Sequence, residues 1–276
     1  MDRIGFLPKL GIYVVLSVGA LTMVLPFLWM ISTSLKADSD VFSTTLNLIP
    51  ERFVWRNYID LWAVAPFDRF FLNTIKVTFL VTVGRLLISS MAAYAFARLR
   101  FRGRDVLFLV YLATMMVPYQ VTIVPLYIMM THLHWVNTHW ALVVPPLFSA
   151  FGVFLLRQFY MGIPRELEEA ARIDGCGFFW IYWRIVLPLS VPAMTALGIF
   201  TFLGTWNDFM GPLIFLNSLD KFTLSVGLSS LIGMYETDWT LLMTGAVLTV
   251  LPVILVFVVA QKHFIQGISL QGSVKG

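Results

Sequence analysis

At 59% hydrophobic and only 12% charged residues, with a mean hydropathy of +0.83, this chain of 276 residues is excluded from the soluble globular proteins, whose charged share is about 25%. Its net charge of +4 and pI of 9.3 do not signal nucleic-acid binding, because the basic residues are spread over short loops and form no patch. A single cysteine, Cys176, excludes an internal disulfide and a multi-cysteine metal site, and between Gly175 and Gly177 it reads as a small loop residue.

The first apolar run, Leu10 to Leu35, is uncharged and long enough to cross about 30 Å of hydrocarbon with some tilt. Arg3 and Lys9 precede it; its length and the lack of a small-residue cleavage site read as a permanent span rather than a secretory signal. Further runs at Phe70 to Ala97, Val106 to Met130, Trp140 to Leu156, Leu189 to Leu216 and Thr240 to Ala260 predict an all-α polytopic membrane protein with six spans and both termini on one side. Twelve basic residues, from Arg3 to Lys275, then fall on the terminal side. Only Lys36, Arg52, Arg56, Arg69 and Lys221 fall on the other, which predicts cytoplasmic termini.

Between the spans, Trp55, Tyr58 and Trp62 suit a membrane interface. His132, His134 and His139 follow the third span with no carboxylate near them, so no metal is expected there. Gly233 to Trp239 predicts a polar outer tip carrying Tyr235, Glu236 and Asp238. Pro118 and Pro125 flank Tyr119, Gln120 and Thr122, and Pro145-Pro146 interrupts the fourth span. Carbonyls freed in lipid must find protein or water, so these breaks point to a pathway. Trp206, Asn207 and Asp208, ahead of Gly211-Pro212, place an amide and a carboxylate beside an aromatic face, a combination suited to sugar hydroxyls; helix-to-helix bonding would use the same residues equally well. Lys76 and Arg85 lie inside the second span. Arg85 reads either as snorkelling to the inner headgroups or as paired, with Asp208 the obvious acid.

The remaining polar segment is Ile163 to Pro192. Pro164 suits a first helical position, Glu166, Glu168 and Glu169 suit the positive end of a helix dipole, and Gly175 suits its stop. Helical spacing places Ile163, Leu167, Ala170 and Ala171 on one face that calls for a partner. No GxxxxGK[ST] phosphate loop is present, so ATP hydrolysis by this chain is not expected.

The spacing Glu169-Ala170-Ala171, Gly175, Ile185 and Leu187-Pro188 resembles the "EAA" loop of the membrane subunits of bacterial ABC importers. The strings ELEEAARIDG and RIVLPL are similar to the carbohydrate branch, and within it to the smaller permease subunit of maltose-type systems. Arg52 to Trp62, Phe71 to Thr74, Ala92 to Gly103, Thr205 to Phe215 and the ending GSVKG extend the resemblance over most of the chain.

The resemblance implies a type I importer permease fold, one permease domain over 1–276 in a bacterial or archaeal cell membrane. It implies that the loop at 163–188 is a coupling helix docking in a cytoplasmic ATPase, with Glu166, Leu167, Glu169, Ala170, Ala171, Asp174 and Gly175 as its coupling residues. Glu169 would pair with a basic residue of the ATPase and Asp174 would cap the next helix. The tail at 261–276, through Gly272, Ser273, Val274, Lys275 and Gly276, would enter the ATPase dimer interface. Tyr235, Glu236 and Asp238 would meet an extracytoplasmic solute-binding protein, and Tyr119, Gln120, Trp206, Asn207 and Asp208 would line the path. The implied partners are a second homologous permease that supplies most sugar contacts, two ABC ATPase subunits, the binding protein and the bilayer, with no nucleic acid. No cofactor belongs to this chain; ATP and Mg are expected on the ATPase. The alternative reading is a stand-alone ion-coupled carrier, for which Asp208 is the one mid-membrane acid available.

Overall fold

The computed structural model describes residues 6–42, 47–233 and 237–273, with side chains at 9–42, 47–233 and 237–261. Its order follows from a backbone that closes its own hydrogen bonds in lipid wherever proline and glycine permit. Helix α1 (Phe6–Ser34) leads through the short α2 (Asp38–Val41) and α3 (Asn57–Val64) to α4 (Phe67–Arg98). Then come α5 (Arg104–Ala113), α6 (Tyr119–His132), α7 (Trp140–Val143) and α8 (Ala150–Met161). The middle of the chain forms α9 (Glu166–Ile173), α10 (Phe178–Ile181), α11 (Leu187–Leu189) and α12 (Val191–Trp206). Last are α13 (Met210–Phe215), α14 (Leu224–Ser229) and α15 (Trp239–Ser273), and the described residues include no strand.

Four segments are long and apolar enough to cross a bilayer alone: Lys9–Ser34, Phe67–Arg98, Trp140–Met161 and Trp239–Gln261. The third and fifth predicted spans are not single helices. Arg104–Met116 and Tyr119–His132 meet at a 99° bend, and Phe178–Leu189 and Val191–Trp206 at a 76° bend. The first bend lies at Pro118, which has no N–H to continue the helix and keeps Val117 extended at φ −86, ψ 115. The second lies at Ser190, with Pro192 opening α12. The predicted Leu189 to Leu216 run breaks again after Trp206 and resumes at Met210, so its apolar length overstated its helical length. Pro125 stays inside α6, whereas Pro145 opens a 3-10 turn that separates α7 from α8. Ser149 restarts the chain by accepting from Gly152 N at 3.1 Å.

The chain divides into two compact units, one of residues 1–68 with 227–252, the other of 69–226 with 253–276. In the first, the end of α1 is tied down by buried polar groups. Ser34 O accepts from Asn57 Nδ2 at 2.9 Å and Thr244 Oγ1 at 3.3 Å, and Ser34 Oγ bonds Tyr58 Oη at 2.9 Å. Tyr58 is therefore a tether of α1, while Trp55 and Trp62 stay exposed as interfacial rings would.

The second unit packs through small residues, which let helices approach closely without a solvent-driven hydrophobic term. A Cβ on Gly152 would lie 2.7 Å from Ser89 Oγ and 3.2 Å from Leu197 Cδ2, so α8 sits against both α4 and α12. Ala93, Tyr94 and Ala97 of α4 join Leu156 and Tyr160 of α8 in a core that also takes in Ala171 of α9 and Tyr182. Ser90 Oγ and Tyr182 Oη bond at 2.6 Å within it.

Candidate functional site

Helix α9 begins at Glu166 with Arg165 as its cap, so Pro164 lies ahead of the helix and not at its first position. At its other end Gly175 adopts φ +82, a left-handed conformation that suits glycine. Cys176 N donates to Ala171 O at 2.9 Å and Gly175 N to Arg172 O at 3.0 Å, the paired bonds of a Schellman turn. Asp174 is the C-cap of α9 and does not cap the following helix: the turn occupies 174–176, and α10 starts from Gly177 without a side-chain cap.

The predicted single face of Ile163, Leu167, Ala170 and Ala171 is split. Because the helix starts only at Glu166, Ile163 is off its periodicity. Ile163 and Ala171 turn into the core, while Ala170 is exposed and Leu167 is 45% exposed. Glu168 is buried beside Ala171, and Glu166 and Glu169 face outward. Ile173, at 88% exposure, is the more exposed of the two large apolar side chains on the outer face of α9 and extends an outer stripe with Leu167 and Ala170.

What holds α9 is Arg98, the last residue of α4. Arg98 Nε lies 2.8 Å from Glu168 Oε1, with side chains only 3% and 5% exposed, as an ion pair without the alignment of a hydrogen bond. Arg98 Nη2 also donates to Tyr160 O and Ile163 O, both at 2.5 Å. These carbonyls, at and just past the end of α8, are of the kind a helix terminus leaves without an intrahelical donor. Arg172 adds a second, outer contact to Glu168 at 3.9 Å. One guanidinium thus joins α4, α8 and α9. In the sequence Arg98 stands among the terminal-side charges and in the Ala92 to Gly103 string, and Glu168 among the dipole charges and in ELEEAARIDG, neither with a partner; the i, i+4 spacing of Glu168 and Arg172 is the available signal.

A cavity of about 750 Å³ lies within the second unit. Tyr119, Asp208 and Arg85 line it together with Thr74, Thr78, Thr122, Thr205 and Thr223, and Pro145 and Pro146 form part of its wall. Of the predicted path residues, Gln120, Trp206 and Asn207 are not in this lining. Trp206 is buried, with ring centroids 5.4 Å from Phe202 and 6.0 Å from Phe71. Gln120 is exposed, and Asn207 Nδ2 donates to Leu203 O at 3.0 Å, back along its own helix. Asp208 Oδ1 accepts from Gly211 N at 3.2 Å.

Arg85 forms no ion pair with Asp208 among the described residues. Its Nε donates to Pro146 O at 2.6 Å, a carbonyl released where the helix breaks. Arg85→Met is therefore expected to lower stability by about 1–3 kcal/mol by leaving that carbonyl unpaired, and Arg85→Lys, which keeps a donor, to recover part of it. Thermal unfolding of the purified protein in detergent measures both.

Elsewhere, Asp238 Oδ1 accepts from Leu241 N at 2.9 Å and Thr240 Oγ1 at 2.7 Å, so it caps α15. Tyr235 and Glu236 lie outside the described residues. Gly272 and Ser273 close the backbone of α15 with side chains outside the description, and Val274, Lys275 and Gly276 lie beyond it. His139 Nε2 sits 3.0 Å from Lys221 O in the loop after α6.

Several apolar helices, two of them bent pairs, together with a hydroxyl-lined cavity in the second unit and one polar two-faced helix, define a multi-pass membrane transport component. The chain belongs to the binding-protein-dependent transport system inner membrane component family, whose model matches residues 85–270. It is 36% identical to the arabinooligosaccharides transport system permease protein AraQ of Halalkalibacterium halodurans, over 93% of each chain. It is 33% identical to the sn-glycerol-3-phosphate transport system permease protein UgpE of Yersinia pestis, over 93% of this chain and 94% of that one. Among solved structures, a chain of a bacterial ABC transporter involved in the import of the acidic polysaccharide alginate has the same fold. Its TM-score is 0.85 at 24% identity, over 94% of this chain and 96% of that one.

Proposed function

We propose that this chain is the membrane-spanning subunit of an ABC importer for a sugar or sugar-like solute, driven by a separate ATPase. What supports the reading is α9: its inner face is locked to α4 and α8 through Glu168 and Arg98, while its outer face offers Leu167, Ala170 and Ile173 with Glu166 and Glu169 beside them. A helix so held passes a push on its outer face into α8 and into α4, whose other half walls the cavity. Family membership and the sugar-system permeases among the relatives point the same way.

In this reading the chain is one permease domain with six spans and cytoplasmic termini, each bent pair counting as one span. It pairs with a second homologous permease, and two ATPase subunits carrying ATP and Mg act on α9 and on the C-terminal tail. A binding protein delivers the solute to the outer face. Hydroxyls of Tyr119, Thr78, Thr205 and Thr223, with Asp208, offer acceptors and donors to a polyhydroxylated solute in the cavity, while Thr74 and Thr122 already donate to Phe70 O and Tyr119 O. The chain itself binds no nucleotide.

The test is solute-stimulated ATP hydrolysis by the reconstituted complex. Glu169→Ala and Gly175→Asp are each expected to assemble and to lose most of the stimulation: the first removes a docking charge, the second strains the φ +82 turn by about 1 kcal/mol or more. Unchanged stimulation in both would remove α9 from the coupling path.

A further inference from the structure

We propose that the two clefts beside Arg100 and Arg165 hold the phosphate of an acidic phospholipid headgroup. The clefts, of about 560 Å³ and 290 Å³, share these two arginines in their linings. The other arginines there are engaged. Arg104 pairs with Asp105 at 3.0 Å, Arg98 pairs with Glu168 at 2.8 Å, and Arg172 contacts both Glu168 and the Phe178 ring. Arg100 and Arg165 have no ionic partner among the described residues.

The acids do not offset them. Asp105 is held by Arg104 and by Arg157 at 3.7 Å, and Glu168 is buried against Arg98, which leaves Glu169 as the one unpaired carboxylate in either lining. Two free guanidinium groups facing shared space match a phosphate, whose oxygens accept forked N–H donors.

The larger cleft argues for a lipid as the carrier of that phosphate. Its wall includes Phe101 and Val106, and Val106 opens an exposed apolar strip of α5 that continues through Leu109 and Val110. A headgroup at Arg100 and Arg165 would leave its acyl chains lying along that strip, at the level where α5 enters the bilayer. This rests on the proposed topology, which sets the beginning of α5 at the cytoplasmic leaflet, where anionic lipids lie.

Native mass spectrometry of the purified complex in detergent, with phosphatidylglycerol or phosphatidylcholine added, tests the site. Wild type is expected to retain phosphatidylglycerol preferentially. Arg100→Gln and Arg165→Gln should each reduce that preference about fivefold. Arg102→Gln, an exposed arginine of the same loop outside both linings, should leave it unchanged. Three results overturn the proposal: a preference that survives the double variant, an equal loss in Arg102→Gln, or loss of the ATPase subunits from the double variant, which would give these arginines to the ATPase. Displacement by inorganic phosphate at equal concentration would identify a free anion as the ligand and overturn the lipid. Failure of the wild type to transport would sink the importer reading without altering the lipid result.

Discussion

Arg98→Ala is expected to lower the stability of the folded chain by about 3–5 kcal/mol, because it strands Glu168 as a buried charge without its partner. The same change removes the donors to Tyr160 O and Ile163 O. Arg172, 3.9 Å away and nearly half exposed, is too distant and too solvated to replace it. Removing both charges, as Arg98→Met with Glu168→Met, should recover much of the loss, since apolar residues of similar volume tolerate such a site better than a lone charge. Thermal unfolding of the purified complex gives the stability order. A single variant within 1 kcal/mol of wild type would show that water reaches the pair and relieves it. If the double variant assembles, its ATPase stimulation separates two roles for the pair: stimulation is lost where the link transmits force and retained where it only braces the fold.

Ile173→Asp is expected to weaken attachment of the ATPase by about thirtyfold or more, the effect of removing a central apolar anchor worth about 2 kcal/mol. At 88% exposure Ile173 packs little against the described residues, so folding and membrane insertion should be unaffected. That separation makes it a cleaner probe than Ala171, which is buried in the core. Ile173→Leu should keep the ATPase bound. Co-purification of ATPase with the tagged permease measures both, and undiminished recovery with Ile173→Asp would place docking on another surface.

The predicted path shows how far residue chemistry reaches. Tyr119 and Asp208 reach the cavity, but Gln120 and Trp206, adjacent to them in sequence or nearly so, do not. Successive residues of a helix point about 100° apart, which turns Gln120 away from Tyr119, whereas Asp208 lies in the break after α12 ends at Trp206. Trp206 was grouped with Asn207 and Asp208 by chemistry, yet its ring packs between Phe71 and Phe202. Arg85 was weighed between snorkelling and an acid partner, and its partner is a carbonyl that only the break at Pro145-Pro146 exposes.

By itself the sequence determined that this is a helical membrane protein, where its apolar segments lie, and that the stretch around Glu169 is its polar signature. Those properties depend on local hydrophobicity, on the missing N–H of proline and on the backbone freedom of glycine, all of which are written residue by residue. Only the tertiary structure decided which carboxylate of Glu166, Glu168 and Glu169 is buried, which side of α9 faces outward and what Arg98 holds. Each of those depends on where α9 begins and on atoms about 60 to 70 residues apart in the chain, brought together by the packing of α4 against α8.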